Sequence, residues 1–245
     1  MIDFNSSSMK RGSVSTQVSD VINGAMQAEN QAQKGRSYLG GSRLGEECAR
    51  MLQYEFEKAP KSRHFSGEVL RIFERGHAGE ENMIRRLRLA GFEIVTEKKS
   101  GGQIGFETAN GRIRGHCDGV IIKAPVDAIK GPCIWEHKVL GNKAWTAVSK
   151  NGVRAEKPVY AGQIATYQAY LDLTDNPGLF TAENADNGQL YAELVPFDAK
   201  LAQDCTDRGV QVIQASERGE RLPRPYASAD FFRCRFCDYR EACWS

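Results

Sequence analysis

Three residues of this chain have the types and spacing needed to hold a divalent cation beside a fixed positive charge: Asp118, Glu136 and Lys138. Glu136 and Lys138 flank His137, so in a β-strand both side chains leave the same face. Asp118 lies in an earlier strand-like stretch, and if the two strands pair as neighbours the carboxylates meet. Two carboxylates about 4 Å apart repel by roughly 4 kcal/mol at an effective dielectric of about 20. A divalent cation between them turns repulsion into attraction, and hard oxygen ligands suit Mg2+ or Mn2+. The Lys138 ammonium would hold a phosphate oxygen or position an attacking water, whose proton a metal ion makes easier to remove. Those are the parts that phosphodiester hydrolysis needs. Glu-x-Lys alone is common by chance. Here Ile134-Trp135 precedes it and Val139-Leu140 follows, which makes the strand internal, and an internal strand rarely carries charge without purpose.

The elements that must position these residues are legible on either side. Asn110-Gly111 is a turn leading into a strand over residues 112–122, and residues 132–140 form the next strand. Upstream, Ser42 caps a helix that runs to Phe56 and closes before Pro60. A long helix starts near Ser66, resumes its pattern after Gly76 and ends before Gly91 as C-cap. Short strands follow over 92–96 and 102–108. Downstream come a helix over 160–173, a strand over 189–196 and a helix from Ala199 to about Arg218. Residues 1–35 form a polar leader with weak helical spacing over 14–33, and flexibility is expected there. Residues 36–245 then make one α/β domain, a central mixed sheet flanked by helices. The tail, 223–245, is dense in Pro, aromatics and Cys and too short to fold alone.

The composition is that of an ordinary globular protein: 245 residues, 41% hydrophobic and 26% charged. No apolar run is long enough to cross a bilayer, and the N-terminus has no apolar signal region, so a cytoplasmic location is expected. A net charge of +2 neither demands nor excludes a nucleic-acid partner. Arg85, Arg86, Arg88, Lys98, Lys99, Lys143, Lys150, Arg154 and Lys157 could supply part of a phosphate-binding groove. Seven cysteines in such a chain are not read as disulfides. Cys234-x-x-Cys237 and Cys243 lie within reach of one metal centre. A closed site needs a fourth ligand, from Cys48, Cys117, Cys133 or Cys205, and zinc is the commoner metal for four thiolates.

The order Asp118, Glu136-x-Lys138 resembles the core of the PD-(D/E)xK nucleases, with Cys117 standing where the superfamily's name has Pro. Arg75-Gly76-His77, ahead of Glu80 and Glu81, resembles the first motif of the RecB-like branch, and Gln163-x-x-x-Tyr167 resembles its Gln-x-x-x-Tyr motif. Ser42-Arg43-Leu44-x-x-x-Cys48-x-Arg50 resembles the N-terminal ligand segment of RecB-like nucleases with a [4Fe-4S] cluster, AddB and CRISPR-associated exonucleases among them. In that group one Cys precedes the nuclease motifs and three follow, and the likeness runs from about residue 38 to the end.

The resemblance implies a restriction-endonuclease-like core. It implies metal ligation by His77, Asp118, Glu136 and the Val139 backbone carbonyl, with Glu81 favoured over Glu80 as a further ligand. It gives Lys138 a role in assisting the nucleophile and sets Gln163 and Tyr167 at the border of the site and DNA. It implies a [4Fe-4S] cluster, or Zn2+ in the alternative, on Cys48, Cys234, Cys237 and Cys243, clasping the two ends of the domain. Cys117, Cys133 and Cys205 are left as buried thiols. The expected activity is that of a Mg2+- or Mn2+-dependent deoxyribonuclease, an exonuclease before an endonuclease. It would act on single-stranded or end-containing DNA in recombination, repair or phage replication, with phage or host recombination proteins as partners. The rivals are a catalytically silent DNA-binding module of the same fold and a zinc-clasped structural protein.

Overall fold

A computed structural model of the chain describes residues 12–33 and 35–245. It opens with α1 (Val14–Ala32), β1 (Leu39–Gly40), a short helical turn over Gly41–Arg43, α2 (Ala49–Phe56) and α3 (Gly67–Leu89). Then come β2 (Glu93–Val95), β3 (Gly105–Thr108), β4 (Ile113–His116), β5 (Gly119–Lys123) and β6 (Cys133–Leu140). Three helices follow, α4 (Asn142–Asn151), α5 (Val153–Glu156) and α6 (Pro158–Tyr170). The chain ends with β7 (Gly178–Asn184), β8 (Leu190–Val195), α7 (Ala199–Glu217), α8 (Phe232–Arg235) and α9 (Arg240–Trp244).

Two sheets form, one of five strands in the order β2-β5-β6-β7-β8 and one of three in the order β1-β4-β3. In the larger sheet β6 and β7 run parallel and the other neighbours antiparallel, so the central sheet is mixed, as expected. The expected continuous strand over 112–122 is a correction. It breaks at Cys117-Asp118, because Gly105 pairs with His116 in the small sheet while Gly119 pairs with Trp135 in the large one. Cys117 still donates its backbone N–H to Ile104 O at 3.0 Å, but Asp118 lies at the seam between the sheets.

β6 is buried on both faces, as its apolar run demands. On one face Met83 and Leu87 of α3 pack with Ile121, Cys133 and Trp135. On the other, Val148, Val153 and Ile164 of α4 to α6 pack with Leu140, Phe180 and Ala182. Fully burying side chains of this kind stabilises by roughly 1.5–3 kcal/mol each. A third cluster joins Leu39, Leu52, Ile113, Cys205 and Val212 between α2, the small sheet and α7. Tyr167 sits between the sheets against Gly41 and Gly115, and a Cβ on Gly115 would lie 2.6 Å from its ring.

Several boundaries differ from the sequence reading. Ser42 lies in the short turn, and the helix begins only at Ala49, with Cys48 as its N-cap residue. Ser66 does cap α3, accepting from the Val69 N–H at 3.4 Å, and the helix continues through Gly76 unbroken. β7, α4 and α5 were not foreseen. The segment Val14–Ala32, expected to be flexible or a loosely held helix, is a helix capped by Ser13. It touches α3 through Asn23, which bonds Glu68 at 2.7 Å and also accepts from Arg71. Residues 1–11 of the expected leader lie outside the described residues.

Hydrogen bonds tie the tail and the residues just before it to α2. Tyr54 Oη donates to Ala242 O at 2.8 Å, Gln53 Nε2 donates to Glu220 O at 2.6 Å, and Gln53 Oε1 accepts from Leu222 N–H at 2.9 Å. The rings of Tyr54 and Tyr239 stack with centroids 5.7 Å apart. Among the described residues no helix is long and apolar enough to cross a membrane.

Candidate active site

The alternation of β6 turns Glu136 and Lys138 toward α6, and the chain entering β5 brings Asp118 beside them. Asp118 Oδ2 accepts the backbone N–H of His137 at 2.8 Å. Lys138 Nζ lies 3.8 Å from the same Asp118 oxygen, pairs closely with Glu136 Oε1 and donates to His137 O at 3.0 Å. Gln163 Nε2, on α6, donates to Glu136 Oε1 at 2.7 Å. Glu136 Oε2 is buried with no hydrogen-bond partner. The Glu136 side chain is 0% exposed, against 13% for Asp118 and 24% for Lys138, so the site opens to solvent on the Asp118 and Lys138 side.

Electrostatics marks a concentration of negative charge. Burial, and after it the charge of Asp118, pushes the Glu136 carboxyl up to about 8. Burial and Asp118 also push Glu80, on α3, up to about 7. Burial raises Asp118 itself, opposed by Lys138, the His137 N–H and His77. Burial would lower the Lys138 ammonium, but Glu136 and Asp118 outweigh it and hold it above its ordinary range. Three carboxyls, Glu80, Asp118 and Glu136, therefore share one field with the Lys138 ammonium. Carboxyl oxygens, one of them without a donor, have the hard-ligand chemistry that suits a divalent cation.

The sequence reading favours Glu81 of the two glutamates of α3, and Glu80 is the one turned toward the acids. Glu81 is exposed, and Glu80 is the one that feels Asp118 and Lys138. Glu80 lies one turn before Met83, which with Leu87 forms the buried face of the helix, whereas Glu81 is turned off that face. His77 is exposed at the middle of α3, about one turn before Glu80, and near enough to Asp118 to lower the pKa of that acid. Val139 directs its side chain onto α3 at Gly79, and the main-chain oxygen that contacts Lys138 is that of His137. Of the Gln-x-x-x-Tyr pair, Gln163 reaches the carboxylate. Tyr167 is packed between the sheets, its pKa raised by burial and then by Glu136 and Asp118.

Two groups escaped the sequence reading. Tyr160, one turn before Gln163, has its ring centroid 5.4 Å from Lys138 Nζ, and an aromatic at that helical spacing was a usable signal. His137 lies on the opposite face of β6, its Nδ1 2.9 Å from Thr181 Oγ1, which also accepts from Trp135 Nε1 at 3.0 Å. Burial, with Lys138 and Arg86, lowers His137 to about 4, so its ring is neutral.

Cys48, Cys234, Cys237 and Cys243 all line one cavity, together with Arg50, Tyr54 and Arg224. Burial raises the Cys48 and Cys237 thiols. Thiols have the chemistry of ligands to a soft metal centre, and these four line the same cavity. Cys117, Cys133 and Cys205 are buried in the core. Among the described residues no three His, Cys, Asp or Glu side chains stand as close as the ligands of one metal ion. Several cations expected to line a groove have partners instead: Arg86 pairs with Glu183, Arg154 with Asp198 at 2.6 Å, and Arg88 bonds Thr96 at 3.4 Å.

The mixed five-stranded sheet with helices on both faces is a nuclease-like α/β fold. It is similar to that of the alkaline exonuclease LHK-Exo from Laribacter hongkongensis, with a TM-score of 0.53 and 14% identity over 80% of this chain and 93% of that one. The same exonuclease in complex with dAMP gives a TM-score of 0.51 and 14% identity over 82% of this chain and 93% of that one. No family model matches the chain, and no curated protein matches it.

Proposed function

We propose that the chain is a divalent-metal-dependent DNA nuclease of the RecB-like PD-(D/E)xK branch, acting as an exonuclease. The observation that carries the reading is the contact of one ammonium, Lys138, with both Asp118 and Glu136, next to a carboxylate oxygen left without a donor. The likeness in fold to an alkaline exonuclease supports it. Asp118, Glu136 and Glu80 would hold Mg2+ or Mn2+, with His77 and the Val139 carbonyl as further ligands. The ion supplies Lewis-acid stabilisation of charge on the phosphoryl oxygens and an acidified water. Lys138 keeps its proton and neutralises charge near the scissile phosphate. Gln163 fixes the Glu136 carboxylate through Oε1, and the His137 N–H fixes Asp118, so both acids are oriented before substrate arrives.

Cys48, Cys234, Cys237 and Cys243 would carry a [4Fe-4S] cluster, with Zn2+ as the alternative. The shared cavity supports a metal centre, and the choice of iron rests on the resemblance in sequence. The centre would join α2 to the tail and close a loop around the whole nuclease core.

The test is incubation of the purified protein with linear and covalently closed DNA in Mn2+ or Mg2+. Release of nucleotides from linear DNA is expected, with closed circles resistant. Asp118→Ala and Lys138→Ala should each lose activity by roughly a hundred- to thousandfold. Cleavage at the wild-type rate in either variant would remove that residue from the mechanism, and equal cutting of circles would overturn exonuclease action. Iron and acid-labile sulfide in the protein would support the cluster, and zinc without iron would replace it.

A further inference from the structure

We propose that the outer face of α8 is a stacking platform for an unpaired DNA strand. The proposal rests on the nuclease reading and adds the form of substrate. α8 and its flanks read Phe231-Phe232-Arg233-Cys234-Arg235-Phe236, with aromatic rings and guanidinium groups interleaved. Phe232 and Phe236 are each 65% exposed. Their rings stand edge to face, with centroids 5.3 Å apart and planes at 63°, so the pair forms one apolar strip. Phe231, also exposed, stacks on Tyr226 with ring centroids 4.1 Å apart.

The cations decide what covers the strip. Arg233 makes only a loose pair with Glu47 at 3.5 Å, and Arg235 has no ion-pair partner among the described residues. A second copy of the chain, docked strip to strip about a twofold axis, would press these guanidinium groups against their own kind. A polyanion with flat apolar faces instead meets both features. Bases stack on the phenyl rings, and phosphates meet the arginines between them. In a duplex the base faces are stacked on one another, so the platform selects a single strand. The same segment carries Cys234 and Cys237, whose side chains turn into the thiol cavity. The thiols thus face inward while the rings and arginines face out.

The test uses the full-length protein in EDTA, so that nothing is cleaved, with fluorescein-labelled oligothymidylate and a blunt duplex of equal length read by anisotropy. The variants are Phe232→Ala/Phe236→Ala and Arg235→Gln, with thermal melting to show that each is folded. The double variant should lose about ten- to hundredfold in oligothymidylate affinity and far less on the duplex. Arg235→Gln should flatten the log–log salt dependence on oligothymidylate by about 0.7. Unchanged oligothymidylate binding in a folded double variant, with wild-type cleavage intact, overturns the platform alone. Equal losses on both DNAs overturn the single-strand preference. An oligomer that becomes monomeric in the double variant while oligothymidylate affinity is kept makes the strip a protein interface and overturns the proposal. A wild-type chain that neither binds nor cleaves any DNA overturns the nuclease reading with it.

Discussion

Gln163 and Glu136 are joined by one hydrogen bond of 2.7 Å, from the carboxamide nitrogen to Oε1, and the other oxygen of that carboxylate is buried without a partner. The bond leaves Glu136 Oε2 as the oxygen available to a cation. Gln163→Leu should therefore weaken Mn2+ affinity by about 10- to 100-fold, as loss of an outer-shell partner does. Titrating nuclease activity against Mn2+ checks this. An unchanged Mn2+ midpoint with reduced turnover would mean that Gln163 acts on the DNA rather than on the carboxylate.

Lys138→Met tests the ammonium as counter-charge. It leaves Glu136 and Asp118 without the cation they both contact. Removing one partner of a buried pair costs about 3–5 kcal/mol. Urea unfolding in EDTA at about pH 9, above the range in which Glu136 and Glu80 hold protons, should register a loss of that order, and Mn2+ in place of EDTA should recover much of it. A variant as stable as wild type in EDTA would argue that the carboxyls are already neutral.

The acid cluster predicts an unusual pH dependence in EDTA. Glu136 and Glu80 titrate near 8 and 7 in the folded chain, against 4.5 for the ordinary group. Between those values the folded chain keeps protons that the unfolded chain has released, which lowers stability as pH rises; His137, lowered to about 4, works the other way below about 6.5, so the carboxyls alone set the slope from about 6.5 to 8. Lys138, raised rather than lowered, stays charged across this window and does not change the sign. Melting temperature should drop between pH of about 6.5 and 8.5 in EDTA, and the drop should shrink with Mg2+ or Mn2+ present. A melting temperature that rises over that interval in EDTA would contradict the shared field.

Thr181→Val keeps side-chain shape and removes the hydroxyl shared by Trp135 Nε1 and His137 Nδ1. Each orphaned group costs about 1–3 kcal/mol. The main chain of His137 holds Asp118, so turnover should fall together with stability. Calorimetric unfolding and steady-state cleavage of the same sample separate the two effects.

Much of the site was legible because it lies on one strand. The Glu136 and Lys138 alternation, with apolar neighbours on both sides, fixes strand, face and burial together. Asp118 was found, but not its seam, since residues 112–122 read as strand throughout and only pairing with β3 or β6 reveals the break. Glu80 and Glu81 both lie about one turn from His77. Which one faces the acids depends on Met83 and Leu87 seating α3 against the sheet, a tertiary fact. β7 was missed because Gly178–Asn184 is buried nearly throughout and shows no alternation to separate it from a loop or a short helix. That Cys48 lies at one cavity with Cys234, Cys237 and Cys243 was legible as spacing plus resemblance. The hydrogen bonds of Gln53 and Tyr54 to the tail were not, because a helix sequence does not announce what its polar side chains will meet.

Asp118 belongs to neither ladder, yet its carboxylate is fastened to the backbone of β6. The position of this acid is therefore referred to the large sheet, where its two partners also sit, and not to the small sheet from which the chain arrives.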